Sequence, residues 1–228
     1  QERERQGSAG HGSMTASLVF DDLVRDEEEL AARASRLAGG WAEAGLVEGD
    51  VVAVLLRNGP VWADIILACR LAGIYYCPLN WHLAAAEIDY ILADCGARML
   101  IADADLVAPL AERLPPGLPV QVAGPSYEGW LAAQAPYSGP PASPRGHMAY
   151  TSGTTGRPKG VRRHPMPPDP QRAARLAGII RDTFGLRPGG RALVPAPLYH
   201  SAPTLFAQNA LQLCRELVLT ERFDAQEV

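Results

Sequence analysis

Residues 150–161 read Tyr-Thr-Ser-Gly-Thr-Thr-Gly-Arg-Pro-Lys-Gly-Val and are the most informative stretch of this chain. The stretch contains three glycines, one lysine and four hydroxyl side chains among five consecutive residues. Glycine lets the backbone approach an anion closely, and consecutive N–H groups can form an anion-binding concavity. Lys159 is the single lysine among 21 Lys and Arg residues, and an ammonium is not interchangeable with a guanidinium at a tight anion site. The stretch therefore predicts a loop that binds polyphosphate.

The loop differs from the P-loop of nucleotide-binding proteins. That motif needs Gly, four residues and then Gly-Lys-Ser/Thr at the start of a helix. Counting from Gly153, Pro158 stands at the second glycine position and Gly160 at the Ser/Thr position. Four prolines in residues 165–170 also exclude a helix directly after the loop. We therefore expect a glycine loop between two strands. A plain glycine hairpin is the alternative, although it needs only one or two special residues.

Strand and helix patterns alternate along the chain outside this loop. Residues 50–56 are short, apolar and valine-rich, as in a buried strand, whereas Leu30, Ala34, Leu37 and Trp41 share one face of a helix. The predicted strands cover residues 50–56, 74–79, 98–102, 119–123, 147–151, 161–164, 191–195 and 216–220. The predicted helices cover residues 30–45, 60–73, 84–95, 104–114, 127–135, 171–184 and 202–213. This alternation predicts an α/β fold with a largely parallel sheet flanked by helices on both faces.

Two smaller features support this assignment. Asn58, two residues before Pro60, is predicted to cap the helix that follows. The four cysteines have no Cys-x-x-Cys spacing, so we expect them to pack as small apolar residues in a reducing compartment.

Composition excludes several classes of function. The chain has 228 residues, of which 47% are hydrophobic and 20% charged, as in a globular protein with a substantial core. Its formal net charge of -4 argues against a nucleic-acid partner. No apolar run is long enough for an integral membrane segment, and no secretory signal is evident. We therefore expect a cytoplasmic protein.

The two ends of the chain have their own signals. Residues 1–13 are polar and rich in glycine, and they meet Met14 in a sequence typical of a cloning junction, so we expect a tag or a disordered segment. Residues 224–227 have a capping-box pattern, which predicts that a helix begins as the sequence stops. We therefore expect residues 14–228 to be a truncated part of a larger domain.

Residues 150–161 resemble the phosphate-loop signature of the adenylate-forming superfamily, which includes acyl-CoA synthetases and the adenylation domains of peptide synthetases. Four further stretches resemble motifs of that superfamily in the expected order, namely residues 49–54, 71–81, 197–201 and 223–225. The resemblance implies the first half of the large N-terminal, AMP-binding domain, without the C-terminal domain. Residues 78–83 look more like an acyl-CoA synthetase than a peptide-synthetase domain, which usually has Asp in place of Asn80.

This resemblance implies a ligase that uses ATP and Mg²⁺ to convert a carboxylic acid, in particular a fatty acid, into an acyl-adenylate. The acyl group would then pass to coenzyme A. Lys159 and His200 are the implied catalytic residues, with His200 beside the carboxylate pocket. No metal ligand is implied in this part of the chain. The residues implied to wrap the β- and γ-phosphates are Thr151, Ser152, Gly153, Thr154, Thr155, Gly156 and Lys159.

Several alternatives stay open. A carrier protein could replace coenzyme A as the acceptor, or the chain could bind a nucleotide or a partner without catalysis. A homodimer is compatible with the resemblance. We interpret Tyr199, His82, His147 and His164 as ordinary packing or surface residues. The family's adenine pocket, its magnesium-binding glutamate and its C-terminal lysine would lie beyond Val228, so the chain alone is predicted to be inactive.

Overall fold

The computed structural model describes residues 16–151, 157–162, 164–165 and 169–224, without the side chains of Pro170 and Ala173. Within these ranges the strands are β1 (Ser17–Phe20), β2 (Leu23–Arg25), β3 (Val51–Leu55), β4 (Tyr75–Pro78), β5 (Ala97–Ala102), β6 (Val120–Val122), β7 (Ala149–Thr151), β8 (Lys159–Val161), β9 (Arg191–Val194) and β10 (Glu216–Leu219). The α-helices are α1 (Glu27–Glu43), α2 (Val61–Ala72), α3 (Ala85–Cys95), α4 (Ala104–Val107), α5 (Pro125–Ala133), α6 (Pro170–Phe184) and α7 (Ser201–Leu213).

The strands form two larger sheets and one hairpin. The first sheet has the order β4-β3-β5-β6, and all of its strands are parallel. In the second sheet, β2-β1-β10-β9, strands β1, β10 and β9 are parallel and β2 is antiparallel. Strands β7 and β8 pair with each other in an antiparallel hairpin. The predicted α/β class with parallel strands is confirmed, although the strands divide between two sheets.

Two apolar cores hold these layers together. The larger core lies between the two sheets, because it includes Leu18 and Leu217 from one sheet and Val52 from the other. Helices α1 and α2 fill this space with Trp41 and Trp62, both of which are fully buried. The second core covers the opposite face of the first sheet, where α3 packs. All five side chains of β3 are buried, as expected for a central parallel strand covered on both faces.

Most predicted elements are present within a few residues of their predicted bounds. Strands β1 and β2 were not predicted. The helix predicted at residues 104–114 is the short α4 followed by a 3₁₀ turn at Ala108–Leu110. Pro109 lies within that turn and cannot donate a backbone hydrogen bond to a continuing α-helix. All four cysteines are free and buried, which confirms their predicted packing role.

Asn58 does not cap α2, so that prediction was wrong. Helix α2 starts after Pro60 without a side-chain cap. The Asn58 Nδ2 instead donates to the carbonyl oxygens of Ala196 and Thr220, at 2.9 and 3.0 Å. Its Oδ1 accepts from the backbone N–H of Leu198 at 2.8 Å. Asn58 follows β3, whereas these partners follow β9 and β10, so this side chain joins the carboxyl ends of the two sheets.

Replacing Asn58 with alanine should therefore lower the free energy of unfolding by about 2–3 kcal/mol, because it removes the partner of three backbone groups that follow strands of the second sheet. Chemical denaturation measures this change. Asn209→Ala is the matched control, since the Asn209 amide donates to the Leu205 carbonyl within its own helix, at 2.7 Å, and joins no second element among the described residues. We expect that control to change stability by less than about 1 kcal/mol. Equal losses in the two variants would contradict the role of Asn58 between the sheets.

Candidate active site

The hairpin β7–β8 brings two of the predicted site residues directly opposite each other. Thr151, the last residue of β7, pairs with Lys159, the first residue of β8. Both residues are exposed. The loop therefore joins two antiparallel strands, as predicted. The return strand covers Lys159–Val161 instead of residues 161–164, because pairing resumes directly after Pro158, which has no N–H to donate. The predicted loop residues Ser152, Gly153, Thr154, Thr155 and Gly156 lie outside the described residues.

Helix α3 holds both ends of this loop. On the side of β7, the Tyr150 hydroxyl donates to the Asp94 carboxylate at 2.6 Å. Burial raises the pKa of Tyr150, and the bond to Asp94 raises it further, so this hydroxyl stays a neutral donor. On the side of β8, the Tyr90 hydroxyl donates to the Pro158 carbonyl at 3.2 Å. The Arg157 guanidinium lies 5.4 Å from the centre of the Tyr90 ring.

Gly160 allows the two strands of the hairpin to pack closely. It pairs with Tyr150, and a Cβ atom at Gly160 would lie 2.5 Å from Met148 Cε and 2.7 Å from Tyr150 Cζ. Any larger side chain would displace the Tyr150 ring that anchors the hairpin on α3. The third glycine of the loop signature thus serves packing within the hairpin.

The hairpin lies beyond the carboxyl end of β4. His147 forms a parallel bridge with Tyr76, and the Met148 N–H donates to the Tyr76 carbonyl at 2.7 Å. Because the chain then runs on in the direction of β4, Thr151 lies past the last residue of that strand. His200 follows β9 as the N-cap residue of α7, with an exposed side chain. Ligands of parallel α/β sheets bind at the carboxyl ends of the strands, and both histidine and hairpin occupy that end.

Aromatic rings connect the carboxyl ends of β4 and β9. Trp81 and Tyr199 pack edge to face with their centroids 6.0 Å apart, and His82 lies 6.4 Å from Tyr199. The Tyr199 ring in turn lies 4.3 Å from the ring of His200. The Arg57 guanidinium lies 5.6 Å from the centre of the Trp81 ring. His82 and Tyr199, which we had interpreted as ordinary residues, therefore stand beside a predicted catalytic residue.

A cavity of about 360 Å³ adjoins this ring cluster. Its lining comes from the ends of both sheets and consists of Arg57, Asn58, Trp81, Pro197, Glu221 and Arg222. Sequence reasoning had not singled out Trp81 or Arg57 as site residues. Their positions in the sequence could have identified them, since Arg57 and Trp81 each follow the carboxyl end of a predicted strand.

A larger cavity of about 530 Å³ lies outside the ends of β3, β5 and β6 and contains none of the predicted site residues. Its lining includes the carboxylates of Asp103, Asp105, Glu128 and Glu221. The Arg57 guanidinium also lines this cavity, but the four carboxylates leave a net negative charge, which repels a polyphosphate. This cavity is therefore unsuited to nucleotide phosphates despite its size, and the hairpin stays the candidate phosphate site.

The sequence profile of a family described as AMP-binding enzyme matches residues 26–227. The chain belongs to the AMP-binding enzyme family. The matched range includes all the predicted site residues. It also includes every strand of the two larger sheets except β1 and β2, which lie before residue 26. The resemblance inferred from the loop signature is thereby confirmed.

Curated AMP-binding relatives differ in the thiol acceptor that their names give. The chain is 30% identical over 234 residues to a fatty acid–[acyl-carrier-protein] ligase of Streptomyces coeruleorubidus, which covers 96% of this chain and 43% of the relative. It is 37% identical over 186 residues to a feruloyl-CoA synthase of an Amycolatopsis species, which covers 76% of this chain and 34% of the relative. The chain thus spans less than half the length of these relatives.

A solved structure supports the fold assignment within the AMP-binding family. The inhibitor-bound N-terminal domain of FACL13 from Mycobacterium tuberculosis superposes with a TM-score of 0.77 at 26% identity. The alignment covers 94% of this chain and 55% of that domain. The described residues therefore correspond to about the first half of an AMP-binding N-terminal domain, as the resemblance implied.

Two further properties concern the described residues alone. Their His, Cys, Asp and Glu side chains form no group of three or more that could hold a metal ion. Among the same residues, no helix combines the length and apolar character needed to cross a bilayer.

Proposed function

We propose that the protein containing this chain activates a carboxylic acid with ATP and then transfers the acyl group to a thiol. In the first step a carboxylate oxygen forms a bond to the α-phosphorus while the bond from that phosphorus to pyrophosphate breaks. In the second step a thiol sulfur attacks the acyl carbon, and AMP leaves. A fatty acid is the proposed substrate class, since the relative that covers nearly the whole chain is named for fatty acids.

The pairing of Thr151 with Lys159 at the mouth of the glycine loop is the observation that carries this proposal. The Lys159 ammonium and the Thr151 hydroxyl would hold the β- and γ-phosphates, together with Ser152, Gly153, Thr154, Thr155 and Gly156. Donors fixed in advance stabilise the charge that builds on a leaving pyrophosphate. The anchoring of Tyr150 and Pro158 on α3 supplies this fixed geometry. Mg²⁺ bound to the triphosphate would share the same negative charge.

His200 is proposed to shape the carboxylate side of the site. It lies at the start of α7, where the helix dipole favours a negative charge, and its ring packs against Tyr199. The cavity beside Trp81 is also lined by Pro197, three residues before His200. The acid and the phosphates would therefore approach from two different elements, α7 and the hairpin, at one end of the sheets.

The test of this function is exchange of labelled pyrophosphate into ATP by the full-length protein. We expect exchange with a medium- or long-chain fatty acid and none without an acid. Absence of exchange with every acid tested, including ferulate, would contradict the proposal and favour a protein that binds nucleotide or a partner without catalysis.

Coenzyme A is the proposed acceptor, and a carrier protein is the second candidate because of the carrier-protein ligase among the relatives. Supplying each acceptor with a preformed acyl-adenylate decides between them. Release of AMP with coenzyme A alone supports the first candidate, and release with carrier protein alone supports the second.

A further inference from the structure

Tyr76 contacts both halves of the proposed site without lying at its surface. Its side chain is fully buried, and its ring packs edge to face against Trp62, with the centroids 6.5 Å apart. Its backbone belongs to β4 and pairs with His147 and Met148, which lead directly into the hairpin. Its hydroxyl points to α7, the helix that begins after His200.

The hydroxyl of Tyr76 bonds to two residues of α7. It donates to Gln208 Oε1 at 3.3 Å and lies 3.2 Å from Thr204 Oγ1, whose hydroxyl proton can complete the second bond. Thr204 is fully buried, and its N–H donates to the carbonyl of His200 at 3.1 Å, one turn earlier. His200, Thr204 and Gln208 are spaced four residues apart, so they share one face of the helix.

Filling the core with two hydroxyl groups is less favourable than filling it with apolar side chains of the same volume. Phenylalanine and valine would occupy the same volume without polar groups to satisfy, whereas a buried hydroxyl must find a partner. The hydrogen-bonded pair fixes the relative position of the two elements, because a hydrogen bond requires a defined distance and angle. Apolar surfaces have no such requirement and can slide against each other. Here the fixed partners are the strand that leads to Thr151 and the helix that starts at His200.

We propose that Tyr76 is a positioning residue for acyl-adenylate formation: its hydroxyl, shared with Thr204 and Gln208, sets the distance between the phosphate hairpin and the start of α7. The inference rests on the proposed function, in which the hairpin holds ATP and the helix start holds the acid. A carboxylate and an α-phosphorus must meet in line, and a displacement of about 1 Å can cost up to about a hundredfold in rate. Tyr76 touches neither reactant and acts through the elements that do.

Tyr76→Phe in the full-length protein tests this role. We expect kcat for pyrophosphate exchange to fall about tenfold while the KM values for ATP and the acid change less than about twofold. Transfer of the acyl group from a supplied acyl-adenylate to the thiol should stay within about twofold of wild type, because pyrophosphate is absent from that step. A general loss of structure would instead lower both steps together.

Tyr127→Phe is the matched control. The Tyr127 hydroxyl is also buried and donates to Asp64 at 3.2 Å, but it joins α5 to α2 in the larger core, whereas Met148 and Tyr150 of the hairpin region pack in the second core. We expect that variant to lose stability and keep its kcat. Thr204→Val removes the Thr204 hydroxyl that bonds to Tyr76. The double variant Tyr76→Phe with Thr204→Val should have a kcat within about twofold of either single variant, because each substitution breaks the same hydrogen-bond network.

Each outcome has a defined meaning. An unchanged kcat in Tyr76→Phe, or equal losses in Tyr76→Phe and Tyr127→Phe, overturns the inference. If Tyr76→Phe does not fold, Thr204→Val and Gln208→Leu answer the same question, and full activity in both overturns it. A wild-type protein without acid-dependent exchange would contradict the proposed function itself, which separates that failure from failure of the role of Tyr76.

Discussion

Replacing Lys159 with methionine is expected to lower pyrophosphate exchange by at least about a hundredfold, because it removes the cation that we propose faces the leaving group. The fold should persist, since Lys159 is exposed. Within the part of the chain that the structure describes, its side chain forms no ion pair whose loss would cost stability. Steady-state exchange measured alongside thermal unfolding separates the two effects.

Two further variants make this test specific. Lys159→Arg keeps the charge but replaces a compact ammonium with a planar fork, so we expect a loss of about tenfold. Arg113→Met applies a similar change to an exposed basic residue between α4 and β6, the strand at the opposite edge of the first sheet from β4, and should keep full exchange. If Lys159→Met exchanges pyrophosphate as fast as wild type, the assignment of the loop to phosphate binding is wrong.

Local patterns in the sequence were sufficient for most elements but not for their pairing. The apolar run of Val51–Leu55 and the helical periodicity within Glu27–Glu43 are local patterns, so both elements could be predicted. The second sheet depends on β1 pairing with β10, where Ser17 lies opposite Glu216. No local signal reports a partner nearly 200 residues away. Strand β1 itself has four residues and β2 has three, which is too short for a recognisable alternation.

The same distinction applies to the candidate site. Thr151, Lys159 and His200 could be named because they belong to contiguous motifs. Tyr76 and Trp81 could not, because their significance comes from contacts with α7 and with Tyr199 that form only in the folded chain. Asn58 shows how a local rule fails. Its side chain suits a helix cap, but it bonds instead to three backbone groups that follow strands of the other sheet.

Asp64→Asn is expected to lower the free energy of unfolding by about 3–5 kcal/mol, because it breaks a buried ion pair from one side. Asp64 has no exposed surface and accepts from Arg33 Nε at 2.9 Å and from Arg33 Nη2 at 2.7 Å. Arg25 lies 3.4 Å from the same carboxylate, and the Tyr127 hydroxyl donates to it at 3.2 Å. An amide would turn N–H donors towards two guanidinium groups.

Arg33 extends this network to a third helix. Its Nη1 and Nη2 donate to the Glu128 carboxylate at 2.7 and 2.8 Å, so α1, α2 and α5 meet at one guanidinium. The bond from Arg33 lowers the pKa of Glu128. Burial raises the pKa of Asp64, and the neighbouring guanidinium groups offset only part of that effect. The ionised Asp64 is thus costly to bury and depends on its partners. Removing its charge while the two arginines stay leaves them to the half-exposed carboxylates of Glu29 and Glu128.

Asp105→Asn is the matched control for Asp64→Asn, because it makes the same substitution in an ion pair at the surface. Asp105 accepts from Arg57 at 3.0 and 2.7 Å, a geometry as good as that of Asp64, but its side chain is 65% exposed. Water and salt screen such a pair, so we expect a loss of no more than about 1 kcal/mol. Chemical denaturation measures the free energy of unfolding of both variants. Because the substitution is the same, the difference between the two losses reports the effect of burial. Similar losses would show that burial does not govern the contribution of Asp64, and that the junction of α1, α2 and α5 depends on apolar packing instead.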